Sequence, residues 1–194
     1  MPSPQVVLDA NVILHVPLRD LLLDAALADR FRVRWTDAIL DEVRRNMVGK
    51  GWAPAPAVDR LIAGMNRYFP TARITGYEGR EAAMTNDPKD RHVTAAAVQV
   101  GADVLTFNLR HFLPRDLAPF AIAAIHPDAL LTALCEHDPH TLAESIRANA
   151  GQRRAPPMTP GEYLDRLAEP LPRFVAAMRT SFPTIDAEAL DDAL

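Results

Sequence analysis

The 194-residue sequence has one cysteine, 8 glycines and no long apolar run. Because Cys135 has no second cysteine to pair with, an internal disulfide is excluded, and the chain suits a reducing compartment. The scarcity of glycine, with 48% hydrophobic and 24% charged residues, excludes collagen-like and disordered chains. No apolar run approaches the roughly 20 residues of a membrane-spanning helix, since Asp9, Asp24 and His126 interrupt the most hydrophobic stretches. We therefore expect a globular cytoplasmic protein that does not enter a membrane.

Positive charge is also scarce. The chain has 21 Lys and Arg residues against 25 Asp and Glu residues, a net charge of −4, and four acids in residues 184–194 account for the difference. A chain of this charge does not attract nucleic acid through its overall field. Any contact with nucleic acid must therefore come from a local group of basic residues. Residues 1–5 carry no basic side chain, and we expect no export signal there.

Five short apolar runs predict the strands of a sheet. They are residues 6–8, 31–35, 72–75, 104–107 and 121–125. Segments with helical periodicity lie between them. Alternation of short apolar runs with helices is typical of a parallel sheet that helices cover on both faces. We therefore predict an α/β class protein, an α/β/α sandwich with a central parallel sheet.

The helical patterns also suggest where the chain divides. Apolar residues recur at helical spacing up to residue 134, and we predict a first domain over residues 1–136. Three further apolar stripes follow without any strand pattern, so residues 137–194 are predicted to form a helical C-terminal extension. Residues 153–157, which include two prolines, are predicted to be a loop within it.

Polar side chains come directly after two of the predicted strands. Asp9 follows the first strand, and Asn108 follows the strand at residues 104–107. Parallel sheets bind ligands outside the carboxyl ends of their strands, so both positions are candidates for chemistry. Asp90, in the first turn of the preceding helix, and Glu42, at the edge of an apolar helical stripe, could reach the same crevice.

Each of these acids also has a structural interpretation. Asp9 could start a turn, and Glu42 could face solvent, with the adjacent Asp41 as a rival. Asp87 and Asp90 both fit the start of a helix, where carboxylates cap free backbone N–H groups. From the residues alone, capping is the preferred interpretation of both.

Several carboxylates in one crevice repel each other. A hard divalent cation relieves that repulsion, and oxygen ligands without Cys favour Mg²⁺ or Mn²⁺. Such an ion can activate a water molecule for attack on phosphorus. The pattern therefore predicts a metal-dependent hydrolase with Mg²⁺ or Mn²⁺ as its cofactor.

Four segments together resemble a known family. They read LDANVIL at residues 8–14, ILDEVRR at 39–45, DPKDRHV at 87–93 and LTFNLRHF at 105–112. In order and spacing they resemble the PIN domain, and in particular the VapC-type toxins of bacterial type II toxin–antitoxin pairs. The resemblance covers roughly residues 5–136 and leaves the last 58 residues outside it.

The resemblance implies a metal-dependent endoribonuclease that hydrolyses RNA phosphodiester bonds to leave a 3′-hydroxyl and a 5′-phosphate. It implies that Asp9, Glu42 and Asp90 hold the ion. Asn108 stands at the position usually given to a fourth acid, and an amide brings no charge, so the ion should be held more weakly. The implied partners are RNA and a small antitoxin protein, and a homodimer is left open.

Other residues are predicted to support this site or its substrate. We expect Asn11, Asp87 and Thr106 to orient the acids, although each could equally satisfy local backbone groups. Basic side chains flank both ends of the crevice and are candidates for binding RNA, although each could simply be a solvated surface charge. These basic residues are Arg44, Arg45, Lys50, Arg110, His111 and Arg115.

Two other functions compete with this prediction. A phosphatase of the haloacid-dehalogenase type also begins with an Asp after its first strand, but it needs a second Asp two residues later, where this chain has Asn11. The non-enzymatic alternative is a catalytically weak PIN scaffold that binds RNA or a protein partner. Metal-dependent RNA cleavage distinguishes the nuclease from both.

Overall fold

The computed structural model describes residues 4–152 and 157–188. Within them lies a parallel sheet with the strand order β2-β1-β3-β4. The strands are β1 (Gln5–Leu8), β2 (Arg32–Arg34), β3 (Asp103–Leu105) and β4 (Ala124–Ile125). The predicted central parallel sheet is therefore confirmed. Residues 153–156 of the predicted loop and residues 189–194 of the acidic tail lie outside the described residues.

Strand β1 forms the buried centre of this sheet. Its residues Val6, Val7 and Leu8 are at most 2% exposed. Val7 pairs with Arg34 of β2 on one side and with Val104 of β3 on the other. Because the three strands run parallel, their carboxyl ends meet at one edge, and the residues that follow them are brought together there.

The predicted strands at the margins of the sheet are only partly correct. The strand predicted at residues 72–75 is wrong, because Arg73 pairs only in an isolated bridge with Trp35. Thr36, directly after Trp35, already caps the next helix, so the pairing cannot continue. The last strand begins at Ala124 rather than at residue 121, since Ala121 has a left-handed backbone with φ of +54°.

Helices make up most of the remaining described residues. In chain order they are α1 (Ala10–Leu14), α2 (Val16–Leu27), α3 (Asp37–Gly49), α4 (Ala55–Tyr68), α5 (Arg91–Val100), α6 (Pro114–Leu117), α7 (Pro127–His137), α8 (Pro139–Gly151), α9 (Pro160–Ala168) and α10 (Pro172–Ser181). Local sequence explains several ends. Thr36 starts α3 by accepting a hydrogen bond from the backbone N of Ile39. Gly101 ends α5 with φ of +61°, which glycine adopts without strain.

The chain divides into two compact units. Among the described residues, unit 1 comprises those up to Leu14 together with Phe31–His126, and it contains the sheet. Unit 2 comprises His15–Arg30 and the described residues from Pro127 onward, so α2 joins the C-terminal helices in it. The contacts thus place the C-terminal division at residue 127, whereas the domain boundary after residue 136 stays a prediction.

The helices of unit 2 pack through their apolar faces. The three stripes predicted in the extension are buried, as Ile146 in α8, Leu164 in α9 and Phe174 in α10 illustrate, each with no exposed surface. The hydroxyl of Tyr163 in α9 donates a hydrogen bond to the backbone O of Pro17 in α2.

In the parts of the chain that are described, no helix has both the length and the apolar character that crossing a bilayer requires.

Candidate functional site

The candidate site lies at the carboxyl edge of the sheet in unit 1. Asp9 is the residue directly after β1, and Thr106 and Asn108 follow β3, the parallel neighbour of β1. Helix α3 begins after β2 and carries Glu42. The topology of the sheet therefore brings to one edge several of the side chains that the sequence singled out.

Asp9 is a buried carboxylate held by two neighbouring side chains. Its exposed fraction is 5%. Its Oδ2 accepts hydrogen bonds from Nδ2 of Asn11 at 2.6 Å and from Oγ1 of Thr106 at 2.7 Å. The Thr106 oxygen in turn accepts from the backbone N of Asn108 at 2.9 Å, and the Asn11 oxygen accepts from the backbone N of Phe107 at 3.2 Å. Asn11 and Thr106 thus orient Asp9 directly.

The pKa of Asp9 is raised by burial and by two other acids. Burial raises the pKa of the Asp9 carboxyl above its ordinary value, and the negative charges of Asp90 and Glu42 raise it further. Hydrogen bonds from Thr106 and from the backbone N–H of Ala10 oppose that rise. The charges of Asp90 and Glu42 therefore reach Asp9, and we treat the three acids as one candidate site.

Asp90 also belongs to a cluster with Asp87 and His111. Nδ1 of His111 lies 2.7 Å from Oδ2 of Asp90 and 4.0 Å from Oδ2 of Asp87. The ligand atoms of the three residues all lie within 4.8 Å of one another. Asp87 also caps the short 3-10 turn Pro88–Asp90, since its Oδ1 accepts a hydrogen bond from the backbone N of Lys89 at 3.0 Å.

Asn108 lies beside His111. Its Oδ1 accepts a hydrogen bond from Nε of Arg110 at 3.0 Å, and its Nδ2 lies 3.0 Å from Nδ1 of His111. The amide therefore joins Arg110 to the Asp90–His111 pair. The Oδ1 atom, which would be the ligand atom of an amide, is already engaged by a guanidinium.

The donor set at this edge fits a divalent cation. The Asp9 carboxylate is buried and is repelled by two other carboxylates, so its negative charge is unfavourable unless a positive charge lies nearby. Carboxylate oxygens are the ligands that Mg²⁺ and Mn²⁺ take in proteins. Asp9, Glu42 and Asp90 are therefore the residues that could hold such an ion, with Asp87 and His111 next to Asp90.

The candidate basic residues have different surroundings. Arg44 forms an exposed ion pair with Asp59, with 2.6 Å between Nε and Oδ1. Nζ of Lys50 lies 4.7 Å from the ring centre of Trp52, near the far end of α3 from Glu42. Arg45 and Arg115 are exposed. Arg110 is exposed too, but its Nε also contacts Asn108 in the site.

The sequence marks His111 only as one of the cations that flank the crevice and not as a candidate metal ligand. The contact with Asp90 joins residues 21 positions apart and depends on how α5 and β3 pack, so no local pattern reveals it. The available signal was the short spacing of His111 from Asn108, in the 3-10 turn Leu109–His111.

Comparisons with known proteins identify the family of the chain. Residues 5–110 match the family model described as PIN domain, and residues 127–180 match the model described as VapC50 C-terminal domain. A relative from Mycobacterium tuberculosis, named "Putative ribonuclease VapC50", is 41% identical over 115 residues, which are 59% of this chain and 68% of the relative. No solved structure gives a significant match. The chain therefore belongs to the PIN domain family, and it is a VapC-type member of that family.

Proposed function

We propose that this protein is a divalent-metal-dependent endoribonuclease, the toxin of a toxin–antitoxin pair. The observation that carries the proposal is the buried Asp9 at the sheet edge, on which the charges of Asp90 and Glu42 act, in a PIN domain chain. The similarity to the VapC50 relative, whose name describes a ribonuclease, supports RNA as the substrate. Mg²⁺ or Mn²⁺ is the proposed ion.

The acids divide the work of RNA hydrolysis between them. When bound, a divalent cation supplies Lewis acidity that favours deprotonation of water and offsets negative charge on the phosphate. Asp9, oriented by Asn11 and Thr106, would hold the ion. Glu42 or Asp90 would orient the attacking water and accept its proton, while the bond from phosphorus to O3′ breaks and O3′ takes a proton from solvent. Asn11 has no proton to release as an acid, which disfavours the phosphatase alternative.

RNA would approach this site through a local group of cations, because the chain as a whole is negative. Arg110 is the best placed for a phosphate, since it is exposed and adjoins Asn108. We propose supporting roles for Arg45, Lys50 and Arg115. Arg44 is less available because Asp59 already pairs with it.

Purified protein tests the proposal directly. We expect cleavage of RNA in Mg²⁺ or Mn²⁺, none in EDTA, and products that carry a 5′-phosphate. Glu42→Gln should abolish cleavage, whereas Asp41→Asn, one residue earlier on α3 and exposed, should leave it unchanged. If Glu42→Gln cleaves RNA as fast as Asp41→Asn and the wild type, Glu42 has no part in the chemistry.

A catalytically weak scaffold is the second candidate. It is favoured by Asn108, which places an amide engaged by Arg110 where the family usually has a fourth acid. Metal-dependent binding of RNA without cleavage, by protein that melts cooperatively, would support the scaffold and contradict the nuclease.

The proposed partner is a small antitoxin protein, and a homodimer is the proposed assembly. Co-expression with the neighbouring reading frame, followed by co-purification, tests the antitoxin. Light scattering during gel filtration gives the mass of the purified protein and tests the dimer. A stable monomer that does not bind the protein encoded by the neighbouring reading frame would indicate a nuclease that acts alone.

A further inference from the structure

The cluster of Asp87, Asp90 and His111 places a nitrogen donor beside the acids of the site. His111 is 26% exposed, and the side chains of Asp90 and Asp87 are 20% and 34% exposed. A cation can therefore reach all three from solvent, while the protein holds them in place. The cluster differs from a group of surface acids, since an imidazole faces two carboxylates.

The separations of the donor atoms suit one ion. The ligands of an octahedral ion, each about 2.1 Å from the metal, lie about 3 Å apart when adjacent and about 4 Å apart when opposite. The distances from Nδ1 of His111, 2.7 Å to Asp90 and 4.0 Å to Asp87, are close to these two values. The Asp90 contact is also a hydrogen bond, which an ion shared by the three residues would replace.

Local contacts keep these donors in position. Oδ1 of Asp87 is occupied by the backbone N of Lys89, which directs Oδ2 towards His111. The Asn108 amide, held by Arg110, lies against the imidazole at 3.0 Å. The same nitrogen, Nδ1, lies 2.7 Å from the Asp90 carboxylate, so Asn108 and Asp90 both hold the imidazole at this edge.

We propose that His111 is a nitrogen ligand of the divalent cation at this site, and that the site therefore prefers a first-row transition-metal ion such as Mn²⁺ to Mg²⁺. Mg²⁺ favours oxygen ligands and retains its water molecules, whereas transition-metal ions accept imidazole readily. The inference rests on the proposed function only in treating these acids as a cation site. It concerns the identity of the ion and not the cleavage of RNA.

Pulsed electron paramagnetic resonance of Mn²⁺ bound to the full chain tests this inference without any activity assay. We expect modulation from a coordinated nitrogen in the wild type and in His92→Ala, a matched control whose histidine lies in α5 outside the cluster. The nitrogen signal should be lost in His111→Ala and in His111→Gln, which retains a polar side chain if the alanine variant folds poorly.

Competition between the two ions supplies a second readout. His111→Gln should weaken Mn²⁺ binding by about tenfold or more and Mg²⁺ binding by much less, since only the transition-metal ion gains from the imidazole. A nitrogen signal that persists without His111, or an equal loss for both ions, would overturn the inference. Wild-type protein that shows the nitrogen signal but cleaves no RNA would support the metal site and contradict the proposed nuclease.

Discussion

Each compact unit buries an aspartate, and the two aspartates have opposite surroundings. Asp9 in unit 1 is 5% exposed and Asp128 in unit 2 is 7% exposed. Oδ1 of Asp128, in the first turn of α7, accepts a hydrogen bond at 2.9 Å from the backbone N of Phe174 near the start of α10. Asp9 instead lies among other acids, whose charges raise its pKa. Burial alone therefore does not distinguish a functional carboxylate from a structural one.

The difference lies in what compensates the buried charge. At Asp128 the positive end of a helix and a backbone N–H group compensate it within the fold. At Asp9 the hydrogen bonds from Asn11 and Thr106 compensate only part of it, because Asp90 and Glu42 add repulsion. A bound cation would relieve this repulsion, which supports the proposed site.

The largest expected effect is on catalysis, with Asp9→Asn. RNA cleavage in saturating Mn²⁺ should fall by more than about 100-fold, since even residues that only orient metal ligands cost about 10- to 100-fold when removed. In EDTA the variant should be as stable as the wild type or more so, because one of three repelling charges is gone. The matched control is Asp128→Asn, which should cleave RNA normally. Similar cleavage by the two variants would remove the functional distinction between the aspartates.

The next effect is on stability, with Asp128→Ala. The substitution leaves the backbone N–H of Phe174 without its carboxylate acceptor, and an unsatisfied buried donor costs about 1–3 kcal/mol. Urea unfolding measures the loss, and Asp128→Asn, which keeps an oxygen acceptor, should lose less. An alanine variant as stable as the wild type would show that the hydrogen bond contributes nothing to unit 2.

The fold could be predicted where local sequence and tertiary packing agree. The run at residues 6–8 and the cap at Asp87 lie where the sequence patterns place them. Helix α2 was not predicted, because its buried residues cover most of its circumference. These residues are Leu18, Arg19, Leu21, Leu22, Ala25 and Ala26. Burial over so wide an arc leaves no narrow apolar stripe to identify.

The site could be predicted where strand topology alone brings residues together. Asp9, Thr106 and Asn108 follow strands, and parallel topology alone brings such residues together. The pairing of His111 with Asp90 and the engagement of the Asn108 oxygen by Arg110 depend on side-chain packing in three dimensions. Sequence position identifies the edge of the sheet, but it does not show which donors face each other there.

A smaller effect is expected from Asn108→Asp. This substitution adds negative charge to the site and so increases its difference from the surroundings of Asp128. A carboxylate at 108 adds negative charge next to His111 and Asp90, which should strengthen divalent-ion binding. The gain should be modest because Arg110 already contacts this side chain. A fixed Mg²⁺ concentration should therefore raise the Tm of the variant by more than that of the wild type, with about 2–4 °C for each kcal/mol gained. Equal shifts would show that position 108 does not influence the ion.

The smallest expected effect concerns an ion pair in unit 2, where charge stabilises the fold instead of opposing it. Nε and Nη2 of Arg147 each lie 2.7 Å from an oxygen of Glu188. The hydrogen bond from Arg147 holds the pKa of Glu188 below its usual range. Because the folded pKa lies below the unfolded one, this stabilisation is present above the unfolded pKa and is lost as the pH falls through the folded pKa.

The substitution Glu188→Gln tests this pair. At neutral pH it should lower the free energy of unfolding by less than about 1 kcal/mol, since the partly exposed pair is screened by solvent. The difference from the wild type should disappear in strong acid, where Glu188 is protonated in both states, and should shrink in high salt. Urea unfolding across the acid range measures both trends. A difference that does not change with pH would show that packing, and not charge, is what Glu188 contributes to unit 2.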